Sequence, residues 1–279
     1  VALIAYGSNQ RSAAGKLVQS SRPSPWETPY KPMNPVSSYA LAAARHMHQF
    51  GTKREHLAEV AVAARKWAQL NPDACMRTPL SIDDVLGARL VSDPLSVRDC
   101  CLVTDGAAAV VMVRADRARD LTGKPVYLLG AASATSHREI ASMPDLTVTA
   151  AAQSGRRAYE MAGVNASDID IAMLYDAFTI NTILFLEDLG FCPKGEGGRF
   201  VADGAIAPGG RLAVNTNGGG LSCVHPGMYG LFLIEESMRQ LTGRAGERQV
   251  SGAKLAIAHG NGGVLSSQAA VILGTEETL

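Results

Sequence analysis

The chain has 279 residues, 47% hydrophobic and 19% charged, enough to bury the core of one large or two ordinary domains and too apolar for a disordered or fibrous protein. Lys plus Arg and Asp plus Glu both number 26, so the net charge is zero and no basic block offers nucleic acid or an anionic membrane surface a footprint. Aromatics make up only 5% against 28 glycines, a balance that suits closely packed helices and glycine-shaped loops, and an α/β enzyme is the expected class.

The five cysteines, Cys75, Cys100, Cys101, Cys192 and Cys223, are odd in number and contain no Cys-x-x-Cys. Neither a disulfide framework nor a zinc ribbon is expected, and a reducing, cytoplasmic setting is. No apolar run reaches the roughly 18 residues of a membrane span, and no basic leader precedes an apolar core. The chain opens at Val1 inside an apolar run, without Met, so an upstream portion is expected.

In chain order, residues 1–6 read as a buried strand closed by a turn at Gly7-Ser8-Asn9. Five prolines, Pro23, Pro25, Pro29, Pro32 and Pro35, then forbid helix and predict an extended surface loop, in which Trp26 and Tyr30 are expected to cover a core edge. Ser37 or Ser38 is expected to cap an Ala-rich helix ending at Gly51. Thr52, with Glu55 three residues on, is expected to cap a second one. That helix places Leu57, Val60, Ala61, Ala64, Trp67 and Ala68 on one face and predicts Lys53, Arg54, Glu59, Arg65 and Lys66 in water. Two similar strand pairs are expected, 100–104 with 107–113 around a turn at Asp105-Gly106, and 255–258 with 269–273 around 259–263. Between them the spacing predicts a strand at 126–129, a helix at 149–162, a capping box Ser167-x-x-Asp170, a strand at 169–174 and a helix at 177–189.

The densest cluster of unusual residues is 213–230, with Asn215, Asn217, Gly218, Gly219, Gly220, Cys223, His225, Pro226 and Tyr229. Three consecutive glycines let backbone approach a ligand, and the apolar stretch 231–238 predicts a helix starting just after His225 and Tyr229. Spacing alone leaves two readings open, a catalytic His at a helix start and a glycine-rich turn with a structural His. His46 and His48, two apart on a helix, cannot face one metal ion. Cys223 and His225 have no carboxylate or further Cys nearby, and no metal site is expected. Cys100 and Cys101 read as small buried thiols, and Asp105 as structural.

Residues 213–230 resemble the Asn-x-x-Gly-Gly-x-x-x-x-Gly-His-Pro-x-Gly motif of the thiolase superfamily, and 99–110 its Asp-x-x-x-x-x-Asp-Gly-Ala-Ala-Ala-Val signature. Tyr175-Asp176-Ala177-Phe178 stands where thiolases have Asn-Glu-Ala-Phe and the sterol-carrier thiolases His-Asp-Cys-Phe. His259-Gly-Asn-Gly-Gly263 stands where thiolases have Cys-x-Gly-Gly-Gly. The resemblance runs the length of the chain in order. It implies a five-layered αβαβα fold of two similar halves, the N-terminal part of the first half being absent. Residues 1–122 would then be the rest of the first half, with a loop region at about 7–94, and 123–279 the second half. It also implies a dimer of the thiolase type, with a thiolase's nucleophilic Cys falling upstream of Val1.

The departures from the family pattern point away from thiolysis. His259 and Ala177 stand at the two family positions for the basic thiolate, Tyr175 replaces an amide, and the His-Pro motif is one residue short with Tyr229 brought in. A phenol is poor at attacking a thioester and suited to moving a hydroxyl proton. This pattern resembles the thiolase-like steroid side-chain-cleaving aldolases, known as lipid-transfer proteins. The resemblance implies retro-aldol cleavage of a β-hydroxyacyl-CoA, giving a ketone and a short acyl-CoA such as propionyl-CoA. CoA would be part of the substrate, with no other cofactor, and an OB-fold partner bearing a zinc ribbon is implied. His225 is expected to bind the developing oxyanion, Tyr175 and Tyr229 to transfer protons across one pocket, and His259 to be a second donor. Asn217, Gly218, Gly219, Cys223 and Asn261 are expected to contact substrate. A degradative thiolase and a catalytically silent acyl-CoA- or lipid-binding subunit are the alternatives.

Overall fold

The computed structural model describes residues 1–13 and 25–279. It begins with strand β1 (Ala2–Asn9) and two long helices, α1 (Val36–Phe50) and α2 (Arg54–Gln69). A short α3 (Ile82–Leu86), the small hairpin β2 (Leu90–Ser92) and β3 (Leu95–Ser96), β4 (Asp105–Met112) and α4 (Ala115–Leu121) follow. The second part runs β5 (Tyr127–Thr135), α5 (Ala151–Ala162), β6 (Ile171–Leu174), α6 (Thr179–Asp188), α7 (Gly197–Val201), β7 (Ala213–Val214), α8 (Gly230–Leu241), β8 (Leu255–Gly262) and β9 (Ser267–Gly274). Pro23 lies outside the described residues. Among the described residues no helix is long and apolar enough to cross a membrane.

One five-stranded mixed sheet, in the order β5-β9-β8-β6-β7, organises the second part. Its central strands β6 and β8 are parallel, and Ile171–Leu174 and the first half of β8, 255–258, are apolar and buried, as strands covered on both faces must be. Helix α6 is buried over nearly its whole length, so it is a core element rather than a surface one. Helix α5 packs on β5 and β9, and α8 on β8 and β6. The first part contributes a two-stranded antiparallel ribbon, β1 with β4, in the register Ala2↔Met112 to Asn9↔Asp105. The α/β class is as expected.

Several local expectations are overturned by distant partners. β1 does not turn at Gly7-Ser8-Asn9 but continues as strand to Asn9, and Leu3 and Ile4 are exposed rather than buried. Residues 100–104 form no strand, apart from a bridge of Cys100 to Phe178, and Asp105-Gly106 lie inside β4. The expected hairpin is replaced because Asp105 accepts the backbone N–H groups of Arg11 (2.9 Å) and Ser12 (3.0 Å), closing the ribbon end from the other strand. At the far hairpin, residues 259–262 stay in β8, paired with 267–270 of β9, and the turn follows them.

Helix α2 starts at Arg54, with Lys53 as its N-cap residue. Thr52 instead meets His46 Nδ1 at 2.7 Å, while His46 Nε2 reaches Glu187 at 3.0 Å in the core. The apolar face of α2 is buried as its spacing predicts. Arg65 is not in water: it is 4% exposed and donates to Ser222 Oγ (2.9 Å) and the Thr78 carbonyl (2.7 Å). Asn165 and Asp168, not Ser167 and Asp170, make the box before β6, and Asp170 accepts the amides of Lys254 and Leu255. Trp26 and Tyr30, expected to be covering residues, are themselves 86% and 85% exposed.

Candidate active site

Three segments meet beyond the carboxyl ends of β6 and β8. The first, 175–178, continues β6. The second, 215–230, joins β7 to α8 and contains a π-helical turn, Gly219–Cys223, an irregularity that recurs at functional sites. The third is 100–104. The Leu174 N–H donates to Asn215 Oδ1 at 2.7 Å, and the Gly219 N–H to Asn217 Oδ1 at 2.8 Å, so these two amide side chains start the loop. Backbone bonds then tie Cys101 to Ala177, Leu102 to Gly220 and Thr104 to His225. The ribbon holds the other end: the Tyr6 hydroxyl donates to the Pro226 carbonyl (2.6 Å) and accepts from the Met228 N–H (3.2 Å).

This scaffold brings Tyr175, His225 and Tyr229 together. His225 Nε2 lies 3.0 Å from the Tyr175 hydroxyl, which also donates to the Gly227 carbonyl at 3.1 Å. The two tyrosine rings meet edge to face at 5.8 Å, and Tyr175 and His225 do so at 5.5 Å. Burial among these rings lowers the His225 imidazole to about 4, so it is neutral at neutral pH and carries one N–H. The same desolvation raises the Tyr175 phenol far above its ordinary value. At rest the pair is therefore a neutral hydrogen-bonded unit, and proton movement through it has to be driven by charge on a substrate.

Other expected residues fall differently. Tyr229 does not face Tyr175 across a pocket; it is fully buried behind it, with its hydroxyl donating to Asn217 Oδ1 at 2.9 Å. His259 is enclosed within the sheet, with its ring 4.4 Å from that of Phe185 and neither ring nitrogen hydrogen-bonded. Burial lowers it to about 3, and the structure does not bring its side chain to the pair. Asn261 donates to the Tyr39 hydroxyl (3.0 Å) and accepts from Gln268 (2.8 Å). Gly218 and Gly219 are glycines for packing: a Cβ on Gly218 would stand 2.6 Å from the Ala68 Cβ, and one on Gly219 only 2.0 Å from Asp176 Oδ2. With φ +65° at Gly219 as well, Gly219→Ala is expected to destabilise the protein by roughly 2 kcal/mol or more, read as a lowered thermal midpoint. An unchanged midpoint would show that the loop can move off Asp176.

The thiols do not compensate. Burial raises Cys100 to about 11 and Cys192 and Cys223 to about 12, so the helix start near Cys223 does not activate it. Among the described residues no group of three or more His, Cys, Asp or Glu could hold a metal ion. Residues without a sequence signal also shape the site. Asn71, just past α2, donates to the Asn217 carbonyl at 2.9 Å and touches Cys223 Sγ at 3.5 Å, and the Thr104 hydroxyl accepts the His225 N–H at 3.0 Å.

Residues 132–275 match the family described as thiolase C-terminal domain-like. The chain belongs to the thiolase superfamily. Among curated members of the superfamily, an acetyl-CoA acetyltransferase of Methanothermobacter thermautotrophicus is 41% identical over 229 residues, covering 81% of this chain and 60% of that protein. A steroid side-chain-cleaving aldolase of Thermomonospora curvata is 36% identical over 229 residues, covering 78% of this chain and 57% of that protein. The chain thus spans less than two thirds of the length of these relatives. Among solved structures, the Ltp2-ChsH2(DUF35) aldolase superposes with a TM-score of 0.87 at 31% identity, over 99% of this chain and 73% of that one.

Proposed function

We propose that this thiolase-superfamily chain carries the site of a carbon–carbon lyase that cleaves a β-hydroxyacyl-CoA thioester by a retro-aldol reaction. The observation that carries the reading is the hydrogen-bonded pair of Tyr175 and His225, 3.0 Å apart, standing beside Ala177 where a thiolate would be needed for thiolysis. Breaking the Cα–Cβ bond requires the β-hydroxyl proton to leave, charge to collect on the thioester oxygen, and a proton to return to Cα. Tyr175 O takes the hydroxyl proton and its own proton, held toward the Gly227 carbonyl, goes to Cα. The single N–H of neutral His225, directed at rest to the Tyr175 oxygen, turns to the enolate oxygen as charge collects there. The products are a ketone and a shorter acyl-CoA, and no acyl-enzyme forms. Tyr229 supports this arrangement by anchoring Asn217.

A steroid side chain as the acyl group is supported by the kinship to a steroid side-chain-cleaving aldolase. A zinc-ribbon OB-fold partner is supported by a solved relative named for two components. The reading includes a dimer of the thiolase type and a reducing, cytoplasmic setting, the latter supported by five free cysteines. The acetyl-CoA acetyltransferase relative favours a second reading, thiolysis. The two separate when the protein is given a β-hydroxyacyl-CoA, or a β-ketoacyl-CoA with free CoA, before and after iodoacetamide treatment. Ketone release from the hydroxy substrate that survives alkylation is the expected result. CoA-dependent cleavage of the keto substrate, lost on alkylation, would establish thiolysis instead.

A further inference from the structure

Asp176 follows Tyr175 directly and its side chain is fully buried. Its Oδ1 accepts the Gly220 N–H at 2.6 Å and its Oδ2 the Leu221 N–H at 3.4 Å, both from the π-helical turn that leads to His225. The turn is wound so tightly around the carboxyl that a Cβ on Gly219 would overlap Oδ2, and one on Gly220 would stand 3.1 Å from Oδ1 and 3.2 Å from His225 Cδ2. Successive backbone N–H groups in such a turn form a concavity for an anion. Here the anion is a side chain of the segment, just past β6, that bears Tyr175.

We propose that Asp176 is a positioning residue of the site: as a carboxylate it gathers the Gly220 and Leu221 amides and so sets the turn that brings His225 to Tyr175. The role is stated for the reaction proposed above and rests on that reading. Protonation removes one acceptor and the negative charge that draws the amides in, so the turn loosens and the Tyr175–His225 distance is no longer held. Burial raises the Asp176 carboxyl to about 7 against the lowering effect of the Gly220 and Leu221 N–H groups. The titratable groups facing it are Tyr175 on its own segment, Cys101 from 100–104 and Tyr229 at the start of α8, all raised above their ordinary values and neutral near pH 7. His225, on the far side of the turn, is lowered to about 4 and adds no ionisation near 7.

The sign of the stability effect is opposite to that on activity. A carboxyl whose folded value lies above its unfolded one holds its proton longer in the folded state, so its contribution to stability falls as pH rises from about 4 to about 7. Asp176→Asn is expected to keep the Gly220 bond through its carbonyl and to set an NH2 against the Leu221 N–H. We expect kcat to fall roughly tenfold to a hundredfold with KM within about twofold. The wild-type rise of kcat with a midpoint near pH 7 should vanish in the variant, together with the wild-type excess fall in stability between about pH 4 and 7. A variant that keeps the same rise would overturn the proposal. Amide exchange in the wild-type protein needs neither the variant nor turnover, so it separates failure of this proposal from failure of the reaction reading. Protection of Gly220 and Leu221, corrected for intrinsic rates, should drop below pH 7, and pH-independent protection would sink it.

Discussion

His225→Ala is expected to reduce turnover of a β-hydroxyacyl-CoA by roughly 100-fold to 1000-fold, the usual loss when one donor to a developing oxyanion is removed. The size follows from the surroundings. The imidazole is neutral, largely shielded and set against the Tyr175 hydroxyl at 3.0 Å, so its N–H has only to pass from that oxygen to the enolate in a site of low dielectric. Its backbone is held independently of the ring, by Thr104 and by Tyr6 on the neighbouring Pro226, so the loop should keep its path. Substrate affinity is therefore expected to stay within a few fold, because the charge that His225 meets exists only as the bond breaks. Turnover at the wild-type rate would mean that the His-Pro segment is structural and that the reacting carbonyl lies elsewhere.

Tyr175→Phe is expected to slow turnover by roughly 100-fold or more, since in the proposed reaction both protons pass through the phenol. Only a hydroxyl is lost. The ring contacts with His225 and Tyr229 remain, and the groups left without it, the Gly227 carbonyl and the His225 ring, are half-buried and can turn to water. The thermal midpoint should hardly move. Tyr229→Phe is the internal control: its hydroxyl donates only to Asn217 Oδ1, which keeps the Gly219 N–H, so the change should cost stability through one lost buried hydrogen bond more than it costs the chemical step. Equal losses of turnover in the two variants, with equal stabilities, would restore Tyr229 as a second proton carrier.

The sequence by itself determined those features whose cause is local or periodic. The apolar face of α2 from Leu57 to Ala68, the buried strands β6 and β8, and the start of α8 at the glycine-rich segment all follow from side-chain spacing and from glycine and proline punctuation. The sequence also singled out Tyr175, a phenol where the family has an amide, and His225, the histidine of the family's own His-Pro motif, which the fold then sets 3.0 Å apart. Only the tertiary structure decided which strand pairs with β4, because Asp105 can serve a turn of its own or cap the far end of β1, and the choice depends on N–H groups more than 90 residues away. It decided that Arg65 is a buried strut to Ser222 rather than a solvated charge, and that Tyr229 stands behind Tyr175 with its hydroxyl bound to Asn217. It also decided that Asp176 accepts the Gly220 and Leu221 N–H groups of the π-helical turn. Periodicity shows which residues are hidden from water; a buried polar atom's partner is set by where the folded chain places a donor within about 3 Å of it, and that distance is a property of the assembled layers alone.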